Sequence, residues 1–172
     1  MLELEKTFLA KFLPEGLENC KFKEIIDVYI PKEKEHPTLR IRKNGSRFEM
    51  TKKEPIAEDI SVQEEQTIIL TQQEFAVLEK TPGKKIEKKR YYFSHNGRTA
   101  EIDVFQGALK GLVLVDFEFS SEEEKNSFAM PDFCLAEVTQ KEFLAGGKLC
   151  GKKYSEIREE LEKFGYKKIS LP

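Results

Sequence analysis

On segments that read as strands, five pairs of like charges stand two residues apart: Glu3/Glu5, Arg40/Arg42, Lys88/Arg90, Glu101/Asp103 and Asp116/Glu118. Residues i and i+2 of a β-strand share a face, so each pair sets two like charges side by side. Such neighbours repel, and folding alone gives no reason to repeat them. A one-sided sheet with its polar face in water accounts for any single pair. Five pairs, all charged and none of Ser, Thr or Gln, point to chemistry. Lys52, in phase with Met50, supplies a further single base. Carboxylate oxygens at this density bind hard divalent cations such as Mg²⁺ or Mn²⁺. Arg and Lys grip phosphate oxygens, Arg through its planar fork. Together they describe a site for a polyphosphate–metal complex. The segment Gly107-Ala108-Leu109-Lys110-Gly111 lacks the spacing of a phosphate-binding loop, so side chains have to hold the phosphates.

The elements that must position these groups are strands. Alternation runs from Leu2 to Thr7, through Leu39–Arg42 and Arg47–Lys53, from Gln63 into Leu70, and along Lys88–Tyr92, Glu101–Asp103 and Leu112–Phe119. Asn44-Gly45 and Asn96-Gly97 are hairpin signals, so neighbouring strands are expected to be antiparallel. Closing such a sheet into a barrel would bring the acids and bases into one cavity. Helices punctuate the strands. Thr71 with Glu74 predicts a capped helix over Gln72–Lys80, ended by Pro82-Gly83. Ser120 or Ser121 caps an acidic first turn, Thr139 is expected to cap Gln140–Ala145, and Tyr154, Ile157, Leu161 and Phe164 share a helical face before Gly165.

Composition bounds the class. The chain has 172 residues, Lys+Arg 29 against Asp+Glu 31, a net charge of -2 and 35% charged residues. That length predicts a single domain over 1–172 with ample core. The charge balance argues against a protein that coats DNA and against a disordered acidic tail. Charges interrupt the amino terminus, and no apolar run approaches the roughly 20 residues needed to cross a bilayer. Cys20, Cys134 and Cys150 are widely separated and form neither a disulfide framework nor a zinc site. The cytoplasm is the expected compartment.

The ordered motifs resemble the CYTH superfamily, the triphosphate tunnel metalloenzymes. That family includes inorganic triphosphatases, thiamine triphosphatases, class IV adenylate cyclases and fungal RNA-capping triphosphatases. Glu3-Leu4-Glu5-Lys6-Thr7 matches the family's E-x-E-x-K except at its lysine. Arg40-Ile41-Arg42 is the R-x-R strand, and Lys52 resembles the lysine ending the next one. Lys88-Lys89-Arg90-Tyr91, Glu101-Ile102-Asp103-Val104-Phe105, Asp116-Phe117-Glu118 and Glu137-Val138-Thr139 follow in order. Two departures stand out. Position 7 is Thr, Lys6 has the opposite parity, and no register slip brings Lys6 inward without expelling Glu3 and Glu5. The third-strand acidic pattern is reduced to Gln63-Glu65-Thr67.

The resemblance implies an α+β fold, a closed antiparallel β-barrel tunnel of about eight strands with flanking helices. It implies divalent metal, Mg²⁺ or Mn²⁺, on Glu3, Glu5, Asp116 and Glu118, with Glu101 and Asp103 as further ligands. Arg40, Arg42, Lys52, Lys88 and Arg90 would line the triphosphate path, with Lys88 nearest the attacking water. The implied activity is metal-dependent hydrolysis of a small triphosphate, compatible with a homodimer, with neither membrane nor nucleic acid expected as a partner. The alternatives are a class IV-type adenylate cyclase, making cyclic AMP and pyrophosphate, and a polyphosphate-binding module without turnover.

Overall fold

The structure, a computed structural model, describes residues 4–55 and 63–170, with residues 53–55 and 63–64 described by backbone alone. Nine strands follow in chain order: β1 (Leu4–Ala10), β2 (Phe22–Ile30), β3 (Leu39–Asn44), β4 (Arg47–Pro55), β5 (Gln63–Leu70), β6 (Lys84–His95), β7 (Arg98–Phe105), β8 (Val113–Phe119) and β9 (Cys134–Glu137). Four helices punctuate them: α1 (Gln72–Leu78), α2 (Glu122–Ser127), α3 (Gly146–Leu149) and α4 (Tyr154–Glu162). The strand order is β5-β4-β3-β2-β6-β7-β8-β1-β9. The expected closed barrel of about eight strands is therefore corrected to one nine-stranded antiparallel sheet whose end strands, β5 and β9, do not pair among the described residues. Closure needs a hydrogen-bonded ladder between the two edges. β9 is four residues long, and its pairing with β1 already shifts register between Leu9 and Ala10.

Chain contacts divide the protein into two compact units. The first comprises residues 1–23, 88–144 and 152–172, and the second residues 24–87 and 145–151. In the first, the register pairs Glu5 with Glu118, Thr7 with Asp116, Glu101 with Asp116 and Arg90 with Asp103. Residues opposite one another across a ladder point the same way, so the acids of β1, β7 and β8 and the bases of β6 share one face. The intervening positions carry the core. Phe8, Ile102, Val115 and Phe117 are all but completely buried, with Tyr91, Val104 and Phe133 around them. Each large apolar side chain buried there stabilises the fold by roughly 1.5–3 kcal/mol, which locks the alternation and thus the charged parity.

The second unit repeats the plan on a smaller scale. Ile41, Val28 and Phe75 form its core with Ile26, Phe48 and Met50 against them. Arg40, Arg42, Asp27, Tyr29, Glu49 and Thr51 take the alternate positions. Both hairpin signals turn as their sequences require. Asn96 (φ 49°) and Gly97 (φ 76°) both occupy the left-handed region, as in a type I′ turn, and Gly45 (φ 61°) opens the β3–β4 turn.

Thr71 caps α1 as expected, its hydroxyl accepting from the Glu74 N–H (3.2 Å) while the Glu74 carboxylate accepts from the Thr71 N–H (2.7 Å). Ser121 likewise caps α2, and Gly165 (φ 73°) follows α4. Thr139 differs. Its hydroxyl accepts from the Thr7 N–H (3.1 Å) and donates to Glu137 (2.9 Å), so it ties β1 to β9, and a 3₁₀ turn over Glu142–Leu144 replaces the expected helix. No helix among the described residues is long and apolar enough to cross a membrane.

Candidate active site

Asp103 organises the charged face of the first unit. It is 1% exposed, and both of its carboxylate oxygens are taken by cations. Lys88 Nζ donates to Oδ2, Arg90 Nε donates to Oδ1 (2.7 Å) and Arg90 Nη2 donates to Oδ2 (2.8 Å). Arg90 reaches further, donating from Nη1 to Glu101 and from Nη2 toward Asp116 Oδ2 (3.4 Å). β6 delivers Lys88 and Arg90 from adjacent same-face positions, and β7 delivers Asp103 directly opposite Arg90. A buried carboxylate costs several kcal/mol unless paired, and here the pairing is complete. Asp103, expected as a further metal ligand, holds the two bases through both of its carboxylate oxygens.

The electrostatics follow this arrangement. Burial opposes ionisation of Asp103, but the charges and hydrogen bonds of Lys88 and Arg90 outweigh it and hold the carboxyl below its usual range. Arg90 is shifted up: burial alone would lower it, yet Asp103, Glu101 and Asp116 more than compensate. Glu101 and Asp116 move the other way. Burial raises Glu101, against Arg90 and with Glu118, Asp103 and Asp116 adding to the rise. Burial and Asp103 raise Asp116, although Thr7, Lys88 and Arg90 oppose them. Part of the acidic face is therefore under-neutralised.

That imbalance bears on metal. Glu5 faces Glu118 across β1–β8, and Glu101 faces Asp116 across β7–β8. Directly opposed carboxylates are unfavourable without a cation between them. The donors are hard oxygens, which suit Mg²⁺ or Mn²⁺ and not a soft metal. Among the described residues no three carboxylate, imidazole or thiol groups already converge on one point. Glu5 and Glu118 are exposed, at the solvent side of this face. Glu3, the remaining expected ligand, lies outside the described residues.

Thr7 stands where a lysine was expected. Its hydroxyl donates to Asp116 Oδ1 (2.7 Å), so a neutral hydrogen bond replaces an ion pair. Lys6 takes the opposite parity, as its sequence position requires, with Nζ 3.3 Å from Glu137.

In the second unit, Arg42 is clamped by Asp27, with Nε to Oδ1 at 2.6 Å and Nη2 to Oδ2 at 2.7 Å. Arg40 stands opposite Tyr29 across β2–β3, and the Tyr29 pKa is pushed up to about 12, chiefly by burial and then by the nearby Asp27. The Arg40 Nε is buried without a hydrogen-bond acceptor among the described residues. Lys52 departs from expectation. It pairs with Leu39 and Gln66, on the parity of Ile41 and Met50, so it lies on the opposite face of the sheet from Arg40 and Arg42. The register position that continues the parity of Thr51 is residue 53, also a lysine, paired with Glu65.

Asp27 and Tyr29 have no counterpart among the expected site residues. Their signal was an acid inside the apolar run Ile25–Ile30, a placement that burial tolerates only with a paired base.

A sheet that sets clamped Arg and Lys beside under-neutralised carboxylates on one face defines a protein that handles densely charged anions together with cations. No protein-family model matches the chain. It is 32% identical over 142 residues to an inorganic triphosphatase of Nitrosomonas europaea, spanning 81% of this chain and 91% of that one. Two crystal structures of one protein also resemble it. One, described as an inorganic triphosphatase, is 27% identical with a TM-score of 0.67 over 87% of this chain and 95% of the other. The second, described as a hypothetical protein, is 29% identical with a TM-score of 0.68 over 88% and 99%. The chain belongs to the CYTH superfamily, the triphosphate tunnel metalloenzymes, alongside that inorganic triphosphatase.

Proposed function

We propose that the chain hydrolyses a phosphoanhydride bond of triphosphate-containing substrates, inorganic tripolyphosphate foremost, with Mg²⁺ or Mn²⁺ as its cation. The observation that carries this reading is the Asp103 clamp, which fixes Lys88 and Arg90 beside Glu101 and Asp116 on one face. Pre-oriented donors stabilise charge developing on a phosphoryl group without reorganising during the reaction. Arg90 and Lys88 bind phosphate oxygens. Arg40 and Arg42 of the second unit are, by the family resemblance, further phosphate-binding residues. Glu5, Asp116 and Glu118, with Glu101 beside them and Glu3 preceding them in the sequence, hold the cation. When bound, it neutralises phosphate-oxygen charge and polarises the phosphoryl group. Lys88, already a donor to Asp103, orients the attacking water. Water adds to the terminal phosphorus, the bridging P–O bond breaks, and tripolyphosphate leaves as pyrophosphate and orthophosphate.

Orthophosphate release from tripolyphosphate, ATP and thiamine triphosphate, with each metal and with chelator, tests this. Metal-stimulated orthophosphate release without cyclic AMP is expected, and Arg90→Ala should lower kcat/KM by about 100-fold or more. Cyclic AMP and pyrophosphate from ATP would overturn hydrolysis in favour of cyclisation. Tight tripolyphosphate binding without turnover would reduce the chain to a binding module.

A further inference from the structure

A second concentration of positive charge lies outside the site above, in the first unit, beside the amino-terminal turn of α4. A recess of about 480 Å³ is lined by Ala108, Lys153, Tyr154, Ser155, Arg158 and Lys168. Three of these six are cations, two more carry hydroxyls, and no carboxylate lines it. Lys153 and Lys168 have no ion-pair partner among the described residues. Two acids of α4 are engaged elsewhere. Glu156 accepts from the Lys153 backbone N–H (2.7 Å), and Glu162 lies 3.3 Å from Arg158 Nε. The Arg158–Glu162 pair is solvent-exposed on both sides and correspondingly weak.

Lys168 is held in place. Its aliphatic stem lies across Gly111, where any Cβ would collide with it. The chain around it is anchored to the same residue: the Ile169 N–H donates to the Gly111 carbonyl (3.0 Å), and the Tyr166 hydroxyl donates to that carbonyl (2.8 Å) while accepting from the Val113 N–H (2.8 Å). The ammonium then rests 4.9 Å from the Tyr154 ring centroid, at the recess. A cation pinned by stem and ring loses little freedom on meeting an anion, which is what pre-organisation contributes to binding.

We propose that this recess is a second anion site that takes a condensed phosphate, pyrophosphate or longer. Three cations around an open recess suit several phosphate oxygens at once, and Arg158 can exchange its exposed carboxylate for one of them. The site shares no residue with the charged face of β1, β6, β7 and β8, and its occupancy does not depend on hydrolysis.

Titration calorimetry of the full chain with pyrophosphate, with Mg²⁺ present throughout, tests it. The wild type should bind two equivalents, and Lys153→Ala/Lys168→Ala should lose one of them or weaken it about tenfold, as expected for two exposed cations. Amide resonances of Ala108 and Gly111 should move with pyrophosphate in the wild type and stay still in the double variant. Both lysines are exposed, so an unchanged melting temperature will show that the variant is folded, and its hydrolysis at low tripolyphosphate should match the wild type. An identical isotherm in the variant would overturn the proposal. Equal shifts from sulfate or orthophosphate at the same concentration would overturn it too, by showing plain charge screening. A chain that binds two equivalents yet never hydrolyses tripolyphosphate would defeat the proposed hydrolase and leave this site standing.

Discussion

At the scale of single residues, the chemistry turns on how deeply each carboxylate is set. Asp103 is buried between two cations, whereas Glu5 and Glu118, on the same face, reach solvent. Breaking a buried pair by removing one partner costs about 3–5 kcal/mol, since the remaining charges stay desolvated. Asp103→Asn should therefore lower stability by about that amount in urea unfolding and cut kcat/KM for tripolyphosphate, because Lys88 and Arg90 lose their orientation. A variant with wild-type stability and rate would show that the clamp is ornamental. Asp116 predicts the reverse. Its pKa is raised in the folded chain, so its ionisation destabilises the fold, and that cost is relieved as pH falls through the raised value. Asp103, shifted down, contributes stability that is present above its unfolded pKa and lost as pH falls through its lower folded value. Without metal, Asp116→Asn should raise the melting temperature at pH 7 and flatten the gain that the wild type shows on mild acidification. The same variant should lose metal-stimulated turnover. A lower melting temperature at pH 7 would contradict the repulsion argument.

At the scale of elements, strand alternation decides which residues share a face, and this much was legible in the sequence. The parity of Glu5, Arg40, Arg42, Lys88, Arg90, Glu101, Asp103, Asp116 and Glu118 follows from i, i+2 spacing once the strands are recognised. The role of Asp103 was not legible, because spacing gives the direction of a side chain and says nothing of its depth. β2 carries no alternation like that of its neighbours, because Lys23-Glu24 is followed by the apolar run Ile25–Ile30, broken once by Asp27. β9 is too short to leave a periodic signal. Lys52 shows how one residue of offset changes a role: motif resemblance chose it, while register puts residue 53 on the parity of Arg40 and Arg42. Lys52→Ala should leave KM for tripolyphosphate within about twofold, because its register position is not on the parity of Arg40 and Arg42, and a rise in KM of about tenfold would restore the assignment made by resemblance.

At the scale of the whole molecule, the near-balance of 29 bases and 31 acids conceals a local division of labour. Buried aspartates neutralise the principal bases from adjacent strands, Asp27 for Arg42 and Asp103 for Lys88 and Arg90. On the face of β1, β6, β7 and β8 the acids Glu5, Glu101, Asp103, Asp116 and Glu118 outnumber the bases Lys88 and Arg90, and that excess would repel a polyphosphate. Metal and anion should then bind cooperatively, each removing the charge that opposes the other. Thermal shift at pH 7 reads this directly, because a ligand that binds only the folded state stabilises it by RT ln(1 + [L]/Kd). Mg²⁺ or Mn²⁺ alone should raise the melting temperature modestly. Pyrophosphate with metal, in a chain carrying Lys153→Ala/Lys168→Ala to silence the recess beside α4, should raise it by more than the sum of the two separate shifts. Pyrophosphate is the right probe because it is a product and is not consumed by the proposed reaction. Strict additivity would mean that the carboxylates and the arginines serve independent sites, and the charged face would have to be divided between two ligands that never meet.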